Sequence, residues 1–248
     1  MTIVSFDFRE AALNARKPKY PHYKLPIEID ETSTNILTTE ETNRGVGFQA
    51  LLDLGRITTD IHKIMLAILN LTMKLEAFSQ FTLTNPNLLF LMNTRAELYH
   101  NLLFQPTGAE LEIASGTSEK TYECVRLASM IFASSTIFPI LPSTGCHRHI
   151  VSLLRATMED LSFEDLNGSE ARTYIWILLL AGIAAQKTEQ RKWFIDKLRY
   201  LTEVARIERW SDVKNLVREY LWMSSVCDEG GMEIWDEVRS QTVPPHGD

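Results

Sequence analysis

Tyr174-Ile-Trp-Ile-Leu-Leu-Leu-Ala-Gly-Ile-Ala-Ala185 is the longest apolar run in the chain, with Arg172 before it and Gln186-Lys187 after it. It is too long for an ordinary strand and too short for a membrane span, which needs about 20 apolar residues. A helix apolar on every side remains, and such a helix must be wrapped by other helices. Ala181, Gly182, Ala184 and Ala185 keep its second half slim, so neighbouring backbones can come close. The run predicts a central core helix, about residues 173–186, and no chemistry of its own.

Helical periodicity surrounds that hub. Ile57, Ile61, Ile64, Met65, Ile68, Leu71, Met73 and Leu75 recur mainly at three- and four-residue steps, predicting one long helix from about 48 to 80. Asn85-Pro86 opens another, which Pro106-Thr107-Gly108 closes. Gly116 or Thr117 caps the next, lined by Cys124, Ala128, Ile131, Ser135 and Phe138 and ended by Pro139 and Pro142. Cys146 to Leu161 is a shorter amphipathic helix, and Ser169 caps the hub. Trp193, Phe194, Ile195, Leu198 and Leu201 continue the pattern beyond it. Val213, Leu216, Val217, Tyr220 and Leu221 sit at i, i+3, i+4, i+7 and i+8 of a helix begun by Trp210-Ser211-Asp212. Asp228-Glu229-Gly230-Gly231 is read as a turn before a last helix, Met232 to Val238. No alternating run bounded by hairpin turns appears, so the fold class is all-α: a multi-helix bundle of stacked antiparallel helices around the apolar hub.

The flanks differ. Residues 1–46 carry three prolines between Pro18 and Pro26 and a polar stretch to Arg44-Gly45, which predicts an extended or partly disordered arm. The helical domain is then 47–240, and 241–248 a frayed tail.

Composition narrows the function. Among 248 residues, 45% are hydrophobic and 23% charged, an ordinary balance for a soluble globular chain. A net charge of −7 and a pI near 5.5 oppose a direct grip on nucleic acid, which needs clustered Lys and Arg. The 3 cysteines, Cys124, Cys146 and Cys227, are odd in number and far apart, so a reducing interior, nucleus or cytoplasm, is expected. No secretory leader is read at the amino terminus, and no membrane association is expected.

Catalytic signatures are missing from the sequence: no G-x-S-x-G elbow, H-E-x-x-H, phosphate loop or G-x-G-x-x-G occurs. Cys146-His147-Arg148-His149 is the cluster richest in ligand atoms. Zinc sites usually combine two spaced ligand pairs, and His147 and His149 at i, i+2 face different sides of a helix. A helix N-terminus is the better reading, and neither catalytic, cofactor nor metal residues are assigned. Glu159-Asp160 and Glu164-Asp165 read as solvated carboxylates at a helix end. Trp176, Leu180, Trp193, Phe194, Trp210, Trp222 and Trp235 are read as core or as the wall of a ligand pocket between helices.

Several pieces fall in a familiar order. They are Glu123-Cys124-x-Arg126-Leu127-Ala128 with Ile137-Phe138-Pro139, then Trp176 running into Ala181-Gly182-Ile183-Ala184-Ala185, then Trp193-Phe194 with Leu198. Trp210 with Val213 and Lys214, Tyr220-Leu221-Trp222, Cys227-Asp228-x-Gly230-Gly231 and Ile234-Trp235 complete the series. From about residue 110 onward, and loosely over the long helix before it, the chain resembles the fungal-specific transcription factor domain. That family lies carboxyl-terminal to a six-cysteine binuclear zinc cluster, which 3 scattered cysteines cannot build. The resemblance implies a nuclear, non-enzymatic regulatory domain. Its implied partners are the transcription machinery or a DNA-binding protein, a small apolar ligand against the hub, or a second copy of the chain as a homodimer. An all-helical enzyme and an interaction module unconnected with transcription are the alternatives.

Overall fold

The computed structural model describes residues 10–11, 13–19, 43–78, 85–115, 119–140, 145–166 and 168–240. Ten helices run through them: α1 (Val46–Asp53), α2 (Thr59–Phe78), α3 (Asn85–Phe104), α4 (Gly108–Ser115), α5 (Lys120–Ser135), α6 (Cys146–Met158), α7 (Gly168–Ala184), α8 (Arg191–Val204), α9 (Trp210–Val217) and α10 (Ser224–Ser240). No strand occurs among the described residues, and the fold is an all-α bundle.

The hub is α7. Every residue from Thr173 to Gly182 is buried, as an all-round apolar surface requires. It packs against α1, α5, α6, α8, α9 and α10. It begins earlier than the apolar run implies, because the polar turn Gly168–Arg172 is helical too. Around it the amphipathic helices each bury one stripe: Ile150, Val151, Leu154 and Met158 from α6, and Phe194, Ile195, Leu198 and Leu201 from α8.

The long helix expected over 48–80 is two helices. Leu54 ends α1, and Gly55 at φ 66° accepts the left-handed conformation that a side chain resists. The Arg56 amide then bonds the Leu51 carbonyl (2.8 Å) and the Gly55 amide the Leu52 carbonyl (2.9 Å), which satisfies the open carbonyls of α1. Thr58 restarts the helix, its Oγ1 accepting the Ile61 amide at 3.3 Å.

Two further expectations are corrected. Thr107-Gly108 opens α4 as well as closing α3. The Thr107 amide donates to the Glu110 carboxylate (2.7 Å) and the Glu110 amide to Thr107 Oγ1 (3.2 Å), a reciprocal capping box. Asp228–Gly231 is no turn but lies inside α10. The expected caps at Gly116 or Thr117, Pro142 and the tail 241–248 lie outside the described residues, as does most of the arm 1–46. Within that arm, Ala11 and Ala15 are buried and Lys17 Nζ donates to Glu110 (3.0 Å).

Candidate functional site

Six of the seven residues read as core or pocket wall lie around the hub and the carboxyl-terminal helices. Trp176, Leu180, Phe194, Trp222 and Trp235 are buried, and Trp210 is half-buried. Trp176 stacks on Tyr220 with centroids 5.1 Å apart, and Phe48 from α1 meets both rings edge-on at 5.5 and 5.4 Å. An indole buried this deeply needs an acceptor for its N–H. Trp176 Nε1 donates to the Leu221 carbonyl (2.9 Å), and the Tyr220 hydroxyl pairs with Thr173 Oγ1 (3.0 Å). The sandwich is filled and satisfied.

A second cluster explains the Asp-Gly-Gly segment. Trp222 Nε1 donates to Asp228 Oδ1 (2.8 Å), and Lys214 Nζ donates to Asp228 Oδ2 (2.6 Å). Helix α9, the segment after it and α10 are thereby tied through one carboxylate. Gly231, on α10 beyond Asp228, faces the rings of Trp210 and Trp222, and Gly230 faces Ile183 of the hub. The glycines serve close helix approach, which sequence reading mistook for chain reversal.

The ligand-rich stretch at the start of α6 comes apart in three dimensions. Cys146 is buried, and burial pushes its thiol up to about 11. His147 turns to α5, where Nε2 lies 2.9 Å from Ser134 Oγ and 3.4 Å from Ser135 Oγ. His149 is exposed. Both serine hydroxyls also bond helix carbonyls: Ser134 that of Met130 and Ser135 that of Ile131, each at 2.7 Å. Serine protons committed to backbone carbonyls leave His147 as their donor, not as a base that activates them. Burial lowers the His147 pKa and holds the ring neutral. Beside it lies a concavity of about 390 Å³ lined by Arg148, Lys187, Gln186 and Thr188 among others. Among the described residues no group of three or more His, Cys, Asp and Glu is placed to hold a metal ion.

The other cysteines are equally inert. Burial raises the Cys227 thiol to about 12 and that of Cys124 further, so neither offers a thiolate near neutrality. Among the described residues Arg126, 1% exposed, is the most deeply placed cation. Its Nε and Nη2 grip Glu123 at 2.9 and 2.8 Å, and Glu123 also accepts the Gly108 amide at 2.8 Å, joining α5 to the start of α4. The Glu-x-x-Arg pair is thus a satisfied structural bridge.

Trp193 stands apart from the other tryptophans. It is half-buried on the outer side of α8, edge-on to Phe163 at 6.3 Å. Lys197 Nζ lies 5.0 Å over the Phe163 ring and 5.9 Å over Trp193, and the Arg155 guanidinium lies 5.8 Å over Trp193. Next to it a concavity of about 260 Å³ is lined by Leu161, Ser162, Phe163, Glu164, Lys197 and Tyr200. Sequence reading put Trp193 with the core residues. The signal that separates it is Lys197 one turn on and Tyr200 two turns on, which extend its stripe along a solvent-facing side of the helix.

No helix among the described residues is long and apolar enough to cross a membrane. A family model described as the fungal specific transcription factor domain matches residues 57–235, from the loop before α2 to Trp235 in α10. The match takes in the hub and every helix described except α1, including α2, where the resemblance is loose. No curated protein and no solved structure matches the chain.

Proposed function

The chain belongs to the fungal specific transcription factor domain family, and from that membership we propose that it is the regulatory or effector domain of a transcriptional control protein, working in the nucleus through a protein partner. The match of the family model over residues 57–235 carries the reading. The domain receives or transmits a signal by docking, and DNA contact falls to another protein or module, in keeping with a net charge of −7. A protein partner is favoured over an apolar small ligand by the concavity beside α8, where Ser162, Glu164, Lys197 and Tyr200 make most of the lining polar. The aromatic residues of the hub are already filled by one another.

The test is a transcriptional reporter. The full chain fused to an unrelated DNA-binding module is expected to raise or lower reporter output relative to the module alone. A fusion that is stably produced, bound at the reporter and without effect in either direction would overturn the proposal. A thermal-shift screen with sterols and fatty acids serves as the companion measurement, and a saturable rise in melting temperature would move the reading from a partner to a ligand.

A further inference from the structure

We infer that Thr59, the first residue of α2, is a phosphorylation site for a protein kinase that reads Leu54 and Arg56 ahead of it, and that the phosphate draws Arg56 away from Glu170. The inference goes beyond the regulatory reading and stands or falls apart from it.

The link between α1 and α2 presents three unlike side chains to solvent. Leu54 is 54% exposed, the Arg56 side chain 50%, and Thr59 is exposed as well. Ile57 between them is buried and pins the link to the core. The Thr58 hydroxyl is taken by the Ile61 amide, whereas among the described residues the Thr59 hydroxyl has no hydrogen-bond partner. As the first helical residue, Thr59 also has an amide without a partner inside the helix, and a helix end opens at the least cost. An aliphatic side chain five residues before a free hydroxyl, and an arginine three residues before it, give a kinase one apolar anchor and one charge to hold. Held so, the hydroxyl is positioned for attack. The Thr59 oxygen bonds the γ-phosphorus of ATP as the bond to the β-phosphate oxygen breaks, ADP leaves, and the hydroxyl proton passes to an aspartate of the kinase.

The surroundings of Thr59 give the phosphate a consequence. It brings a charge of about −1.5 to −2. Arg56 stands three residues before it, exposed Lys63 stands at i+4 on the same face of α2, and the open amides of the α2 N-terminus lie beside it. Asp60 is the one acid in that first turn, and Asp53 at the end of α1 accepts Gln49 Nε2 at 2.8 Å. In the unmodified chain Arg56 Nε donates to Glu170 at 2.7 Å. Glu170 lies in the first turn of the hub helix α7, with 19% of its side chain exposed. A phosphate attracts a guanidinium more strongly than one carboxylate does and can accept two of its N–H groups at once. The ion pair that ties the α1–α2 link to the start of the hub is thereby released.

The full chain is incubated with Mg²⁺, ATP and a purified serine/threonine kinase that selects an arginine three residues before its acceptor, and the phosphate is located by mass spectrometry. Phosphate is expected at Thr59 and is absent there from Thr59→Ala. Leu54→Ala and Arg56→Ala should each slow the modification by about tenfold or more. Glu170→Gln breaks the same ion pair but leaves Arg56 free for the kinase, so it should speed the reaction. A mere loosening of the link would move Arg56→Ala and Glu170→Gln in the same direction. Leu54 and Thr59 are exposed, so their variants should keep the melting temperature of the unaltered chain. Glu170→Gln should lower the melting temperature of the unmodified chain and leave that of the phosphorylated chain unchanged. No phosphate at Thr59, or equal rates for Arg56→Ala and the unaltered chain, would overturn the site. An equal drop on Glu170→Gln in both forms would overturn the release of Arg56. A silent reporter fusion with Thr59 phosphorylated removes the regulatory reading alone, and an active fusion with Thr59 untouched by the kinase removes this inference alone.

Discussion

Gly231 illustrates what single residues do in this molecule. A Cβ added there would lie 2.6 Å from the Trp210 ring and 3.1 Å from Trp222, two rigid aromatic groups with little room to yield. Helix propensity alone would favour alanine by about 1 kcal/mol. Forcing a methyl against a packed ring costs about 1–3 kcal/mol, so crowding decides the sign. Gly231→Ala is therefore expected to lower the urea midpoint of unfolding, with the slope of the transition unchanged. A gain in stability would show that the indoles are free to move and that the cluster is looser than its geometry. The identity of the residue was plain in the sequence. Its role was not, because a glycine pair reads the same whether it reverses the chain or admits a neighbouring ring.

At the scale of elements, α5 and α6 meet through His147. Burial lowers the pKa of this ring from its ordinary value of 6.5. The unfolded chain therefore takes up a proton before the folded one does as the pH falls. Stability held by the neutral ring is complete above about 6.5 and is lost as the pH drops below that value. His62 on α2, lowered by burial as well, adds to the same trend. Melting temperature is expected to decline below pH 6.5, and His147→Gln should make that decline shallower. An unchanged pH profile in the variant would remove His147 from the account. The elements themselves were largely readable. Helical spacing placed α6, α8 and α9, but α9 ends at Val217, so Tyr220 and Leu221, expected as its last positions, are buried in the loop beyond it, and Trp193 lies off the core stripe of α8. The break between α1 and α2 was also written in the chain, as Gly55 followed by Thr58, but hydrophobic spacing runs on across it and masked it.

On the scale of the whole molecule, α1 precedes the family match and yet completes the core. Phe48 closes the sandwich of Trp176 and Tyr220, and the amides of Gly45 and Gly47 bond the Glu219 carbonyl at 3.1 and 3.2 Å. Glu76 at the end of α2 accepts Arg44 Nη2 (3.0 Å) and the Ser224 amide (2.9 Å), linking the start of α1 to the start of α10. A fragment cut at residue 57 would expose the Trp176 and Tyr220 rings and leave the Glu219 carbonyl without these donors. Phe48→Ala should cost about 3–5 kcal/mol, the usual range for removing a buried phenyl ring. The fragment 57–240 should lose near-ultraviolet circular dichroism that 43–240 keeps. Equal stability of the two fragments would show α1 to be an accessory.

The sequence by itself determined the helical class, the hub and the family, because hydrophobic period and the order of short motifs are local properties that survive without coordinates. Only the tertiary structure decided which tryptophans fill the core and which faces solvent. Trp176 lies inside an apolar run and Trp193 between Arg191-Lys192 and Phe194-Ile195, and what packs on each is α1 and Tyr220 over the first and lysine and arginine side chains over the second. Burial is set by what packs across from a residue, at separations such as the 45 residues from Trp176 to Leu221, and periodicity along one helix carries no information about it.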